Sequence, residues 1–229
     1  MNQYNSDFEL IKQAIQAKLE IILSLRNDRE LKSDGSFVTK ADFLVQEIIQ
    51  DYFHANFSNF IFISEEKKNE IVDLSSSEMT VMLDPIDGTE NFTSGLPEWG
   101  VGISIYNYSK HAASFLFMPQ LNLSLSSGEK ISYFQSRIDG LSSSLSQEGL
   151  LSMPVSQEYR ILGCSMYNMF NVIQGSYRSF TNVNGVNAWD LLPGINLALE
   201  HGLEVKIDEK KYDGEFLQPN RKYSVHITR

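Results

Sequence analysis

The 229 residues suffice for one large domain or two closely packed halves, and 42% hydrophobic side chains supply a core. Twenty-nine acidic against nineteen basic residues leave a net charge of −10, which argues against a nucleic-acid-binding surface. Cys164 is the only cysteine, so no intrachain disulfide can form, and the polar start Met1–Asp7 and the lack of a long apolar run make a soluble, cytoplasmic protein the expectation.

From the N-terminus, Ser6 followed by Glu9 matches a capping box, and Phe8, Ile11, Ile15, Leu19 and Ile22 recur every three or four residues. The pattern predicts one long amphipathic helix ending before the polar turn Lys32-Ser33-Asp34-Gly35-Ser36. A second helix is predicted from about Ala41, with Leu44, Val45, Ile48, Ile49 and Tyr52 on one face. Strand-like runs follow at Phe60–Ile63, Met79–Leu83, Val101–Tyr106 and Ala113–Met118. Leu123 to Ser146 is serine-rich and reads as hairpins and loops. The rest alternates: strand Tyr159–Leu162, helix Ser165–Gln174, strand Tyr177–Val183, helix Ala188–Glu200, strand Glu204–Ile207. The fold class is therefore α/β, with an N-terminal α+β half (1–122) and a C-terminal α/β half (123–229).

The chemistry concentrates at Asp84-Pro85-Ile86-Asp87-Gly88-Thr89. A buried strand, Val81-Met82-Leu83, delivers Asp84 at its end, where Pro85 stops the ladder. Gly88 permits a sharp turn, so two carboxylates, the Ile86 carbonyl and the Thr89 hydroxyl are predicted to converge. Such an oxygen-only set suits a hard cation such as Mg²⁺, and free amides after Gly88 suit a phosphate if a helix starts there. Taken alone, each residue has a plainer account. Asp-x-x-Asp is a common Asx turn, Asp42 and Asp190 can be first-turn helix acids, and Glu65 and Glu66 can be solvated loop charges.

Residues 84–92, Asp-Pro-Ile-Asp-Gly-Thr-Glu-Asn-Phe, resemble the signature of the inositol monophosphatase family. Val38-Thr39-Lys40-Ala41-Asp42, Ile63-Ser64-Glu65-Glu66 and Ala188-Trp189-Asp190 resemble its other motifs, in the family's order. The resemblance implies a layered α-β-α-β-α sandwich and a phosphomonoesterase using two or three Mg²⁺ ions. It implies that Glu65, Asp84 and the Ile86 carbonyl hold one ion, and that Asp84, Asp87 and Asp190 hold a second. A third ion would meet Glu65 through water. Thr89, hydrogen-bonded to Asp42, would orient the attacking water, with Glu65 also counted as catalytic. Gly88, Thr89, Gly163, Cys164, Ser165, Asp190 and Lys32 would face substrate. Lithium sensitivity and a homodimer are implied as well.

The substrate is less constrained. Lys32 to Thr39 looks like a variant found in members acting on nucleotide or histidinol phosphates, but Phe37 stands where those have proline. Lys32 is equally well an ordinary surface lysine, and Gly163-Cys164-Ser165 a small-residue helix start. A glycine-rich hairpin expected between about Ser124 and Val155 is not recognisable, and Val183 replaces a glutamate that meets a sugar hydroxyl in inositol-specific members. The substrate expectation is an inositol monophosphate-like ester. Alternatives are 3′-phosphoadenosine 5′-phosphate, histidinol phosphate and fructose 1,6-bisphosphate. A haloacid-dehalogenase-type phosphatase is excluded by Pro85, which stands where its nucleophilic aspartate belongs, and a cysteine phosphatase by Phe170, where its arginine belongs. The remaining rival is a catalytically weak, metal-responsive binding protein.

Overall fold

Phe8, Ile11 and Ile15 are buried on one face of α1 (Asn5–Ala17). Burying such side chains is worth roughly 1.5–3 kcal/mol each, far above the few tenths by which β-branched and aromatic residues disfavour a helix, so packing decides. In this computed structural model, which describes residues 2–32, 35–67, 71–74, 78–151 and 158–229, the long first helix is in fact two. Lys18 leaves helical geometry (φ −105°, ψ 8°) with its amide turned three residues back to Ile15, and α2 (Leu19–Ser24) starts afresh. Ser6 and Glu9 do not form the capping box either. The helix begins ahead of Ser6, after a turn in which the Asn2 side chain accepts from the Tyr4 amide at 3.0 Å.

The polar turn joins β1 (Arg29–Leu31) to β2 (Phe37–Thr39), with Gly35 N donating to Lys32 O at 3.0 Å. Ser33 and Asp34 lie outside the described residues. The second predicted helix is α3 (Lys40–Asn56), which buries Val45, Ile49 and Phe53. After it come β3 (Phe60–Ser64), β4 (Met79–Asp87), α4 (Thr89–Thr93), β5 (Gly100–Asn107), β6 (Lys110–Met118) and β7 (Leu123–Ser126). These five strands form one sheet in the order β3-β4-β5-β6-β7, parallel at β3–β4 and antiparallel elsewhere. The first sheet thus runs past residue 122, to Ser126.

The second half holds β8 (Ile138–Leu141), α5 (Gln147–Leu151), β9 (Glu158–Ile161), α6 (Ser165–Gln174), β10 (Ser179–Asn187), α7 (Ala188–Glu200), β11 (Glu204–Ile207), β12 (Lys210–Lys211) and β13 (Lys222–Thr228). Its six strands are ordered β12-β11-β13-β10-β8-β9. Strand β13 escaped the sequence reading, although Tyr223, Val225 and Ile227 are buried in strict alternation with Ser224 and His226.

Side-chain alternation sets the layers. Val81 and Leu83 of β4 join the core that α1 and α3 close, whereas Met82 joins the core built on α6 and α7. The sequence of layers is helices α1–α3, the five-stranded sheet, helices α6 and α7, and the six-stranded sheet. Every residue of β4 is buried, so its C-terminal end delivers Asp84 and Asp87 into the seam where the halves meet. Among the described residues no helix is long and apolar enough to cross a membrane.

Candidate active site

Strand β4 does not stop at Pro85. The ladder to β5 slips instead, pairing Asp84 with Gly102 and Asp87 with Gly100, a bulge that absorbs the missing proline amide. Asp84 Oδ1 accepts the Ile86 amide at 3.0 Å, which makes the local Asx turn real. Gly88 then adopts φ +83°, a left-handed conformation that glycine supplies at no steric cost, and the short helix α4 starts at Thr89.

Three carboxylates meet here from distant points of the chain. Oxygens of Glu65, Asp84 and Asp190 all lie within 4.8 Å of one another. Glu65 follows β3, its amide bonded to Leu83 O at 3.3 Å, and Asp190 sits in the first turn of α7 with its Oδ2 accepting the Asn187 amide at 3.2 Å. Asp84 is fully buried, and its Oδ2 receives no hydrogen bond. Asp190 beside it accepts a hydrogen bond from the Asp84 carboxyl when Asp84 carries the proton. Burial, and then Glu65, Asp190 and Asp87, push the Asp84 carboxyl well above the usual range. Burial followed by Asp87 and Glu65 does the same to Asp190. Like charges so crowded call for a cation, and an all-oxygen donor set fits a hard divalent ion.

Asp87 is oriented differently. Its Oδ2 accepts the Met166 amide at 2.5 Å and the Cys164 thiol at 3.1 Å, both at the start of α6. Burial pushes Asp87 up to about 7, against the pull of those two donors. The buried Cys164 side chain therefore faces Asp87. The neighbouring Gly163 allows close approach, since a Cβ there would sit 2.8 Å from Asn91 Oδ1. Ser165 is half-buried as the first residue of α6.

Thr89 and Asp42 are not hydrogen-bonded to each other. The Thr89 hydroxyl donates to Ile86 O at 3.0 Å. Asp42 Oδ2 is drawn into a capping box at the start of α3, accepting from Thr39 N at 2.7 Å and Thr39 Oγ1 at 2.6 Å. Its other oxygen is buried without a donor, and burial, opposed by the Thr39 bonds, raises Asp42 to about 7. Lys32 is no free surface lysine. Its Nζ lies 2.8 Å from both Glu65 Oε1 and Glu66 Oε1; burial disfavours the ammonium, but these carboxylates outweigh it and raise the pKa. Two contributors went unread in the sequence, and Glu66 appears in its motif without a role. Asn187-x-x-Asp190 carries a helix-start pattern that points to Asn187. The Met166 amide has no sequence signal.

Residues 3–153 match the sequence model of the inositol monophosphatase family. The chain belongs to that family. Membership makes it a phosphoric monoester hydrolase by class. It is 24% identical to the Nus factor SuhB of Pasteurella multocida over 195 residues, 75% of this chain and 72% of that protein. Inositol monophosphatase 2 of Saccharomyces cerevisiae is 33% identical over 92 residues, 40% of this chain and 32% of its own length. Among solved structures, a Thermotoga maritima IMPase superposes with a TM-score of 0.81 at 22% identity, covering 100% of this chain and 92% of that one. An IMPase/NADP phosphatase solved with Mg²⁺ and phosphate gives 0.80 at 17% identity, over 99% and 92%. At these identities the superpositions establish the sandwich fold expected from the sequence.

Proposed function

We propose that this chain is a Mg²⁺-dependent phosphomonoesterase that hydrolyses a small phosphate ester with an activated water. The observation that carries the reading is the convergence of Glu65, Asp84 and Asp190 around a buried Asp84 oxygen with no donor. Glu65, Asp84 and the Ile86 carbonyl would hold one ion, Asp84, Asp87 and Asp190 a second, and Glu65 the surroundings of a third. Bound divalent ions supply hydroxide at neutral pH and neutralise the charge on attacking and leaving oxygens.

The residues themselves orient and exclude. Thr89, released from Ile86 O, offers its hydroxyl to the attacking water, and the unpartnered oxygen of Asp42 receives the hydroxyl proton. Gly88, Thr89, Gly163 and Ser165 form the small-residue wall where the phosphate would sit. Lys32 tethers Glu65 and Glu66 at the rim. Val183, 59% exposed, offers no partner for a sugar hydroxyl, which widens the substrate range beyond inositol monophosphate. Relatives named as a 3′(2′),5′-bisphosphate nucleotidase CysQ and an IMPase/NADP phosphatase favour testing nucleotide phosphates alongside. A cytoplasmic, lithium-sensitive homodimer completes the reading by family resemblance. Phosphate release should be screened across inositol 1-phosphate, 3′-phosphoadenosine 5′-phosphate, histidinol phosphate and fructose 1,6-bisphosphate, with Mg²⁺ and with chelator. Release that persists in excess chelator, or release from none of them, would remove the proposal.

A further inference from the structure

Asp87 belongs to the first half of the chain, yet besides the local Gly88 amide its carboxylate takes two donors from the second half. Its Oδ2 caps α6 from outside that helix, taking the Met166 amide at 2.5 Å and the Cys164 thiol at 3.1 Å. Cys164 Sγ in turn accepts the Tyr167 amide at 3.3 Å, so the thiol hydrogen is free to point at the carboxylate. The knot has no slack. A Cβ at Gly88 would lie 2.9 Å from Cys164 Cβ and 3.0 Å from Gly163 O. At 1% exposure, Cys164 is sealed against this turn. Two donors on one oxygen restrict the rotation of the carboxylate and so bias the direction of the other oxygen.

We propose that Cys164 is a positioning residue whose thiol, with the Met166 amide, locks the rotation of Asp87 and thereby sets how tightly the site holds its second divalent ion. The inference rests on the reading of Asp87 as a ligand given above. It reassigns Cys164 from substrate contact to support of the metal centre, and it makes the docking of α6 part of that centre. A group that orients a ligand from behind shifts affinity rather than creating it, so the effect belongs in ion binding and not in binding of the ester.

The test is a Mg²⁺ titration of wild type, Cys164→Ala, Cys164→Val and Cys164→Ser, read by calorimetry and by the Mg²⁺-induced rise in Tm. Hydrolysis of a generic phosphomonoester is the second readout. The alanine and valine variants should need about tenfold more Mg²⁺ for half-saturation of the site that Asp87 serves, the low end of what loss of such an orienting partner costs. KM for the ester at saturating Mg²⁺ should stay within about twofold, as expected when uniform substrate binding is untouched. Serine restores a donor and should recover the wild-type affinity to within about threefold, since hydroxyl and thiol can both donate to the carboxylate. Valine fills the buried space without a donor, so a loss seen in alanine and absent in valine would mark packing and overturn the proposal. Alanine and valine variants that bind Mg²⁺ like wild type, or a serine variant no better than alanine, would also overturn it. A wild type that binds no Mg²⁺ and releases no phosphate would instead overturn the metal reading itself, and this inference with it.

Discussion

Asp190, in the first turn of α7, brings a carboxylate oxygen to within 4.8 Å of Asp84 at the end of β4, although the two belong to different halves of the chain. One is needed to complete the other. Asp190→Asn should therefore lower kcat by ~10² or more and weaken Mg²⁺ binding, because a ligand is lost where charge is stabilised in the transition state. The same change removes one of the like charges, so the metal-free variant should melt at a higher temperature than metal-free wild type. Calorimetry with and without Mg²⁺ separates the two effects; a variant equal to wild type in rate and Mg²⁺ dependence would place Asp190 outside the centre.

Asp42 and Asp87 should make the metal-free protein lose stability as pH rises toward 7. Both have folded-state pKa values near 7, raised by burial from 3.8. Between those values the folded state holds protons that the unfolded chain has released, so the contribution of these two groups is full below about pH 4 and is lost as pH rises through 7. Added Mg²⁺ should reverse the trend at pH 7.5, because it binds the ionised carboxylates. Thermal melts from pH 5 to 8, in chelator and in Mg²⁺, check both signs. Parallel curves in the two media would contradict the assignment of the cluster to a cation.

A double-mutant cycle decides what Thr89 and Asp42 do together. Thr89→Ala should lower kcat by ~10²–10⁴, the range for positioned proton-transfer groups. Asp42→Asn should match it if the lone Asp42 oxygen takes the Thr89 proton in the working enzyme, and the double variant should then be little worse than either. Losses that multiply would leave Thr89 on the Ile86 carbonyl and Asp42 as a cap alone.

Lys32→Met should release Glu65 and Glu66 from their shared ammonium. If Lys32 competes with an ion for Glu65, the variant should reach half-maximal rate at less Mg²⁺. A raised KM with unchanged Mg²⁺ dependence would assign Lys32 to substrate instead.

How far the sequence could be read depended on how local each signal is. Helix α7 is a largely apolar run, buried from Leu191 to Ala198 and closed by Glu200, and β11 alternates over four residues, so their bounds are recoverable, and the Asp84–Thr89 turn follows from proline, glycine and strand in one short stretch. The break at Lys18 leaves no such mark, since one residue out of helical geometry keeps the apolar spacing nearly intact. The hold of α6 on Asp87 is invisible because a backbone amide, Met166 N, has no residue type. Asp42 shows the opposite difficulty: Thr39-x-x-Asp42 is both a helix-capping pattern and part of a family motif, and its two oxygens divide between those roles.

Strand β12, only Lys210 and Lys211, closes one margin of the six-stranded sheet. A two-residue strand offers a neighbouring molecule almost no row of unpaired amides and carbonyls, and its exposed ammonium groups repel a second copy of themselves. This margin therefore resists the strand-by-strand growth that turns folded sheets into fibres. Exchanging both lysines for valine should leave the carboxylate cluster in place and shorten the time this protein stays clear in concentrated solution.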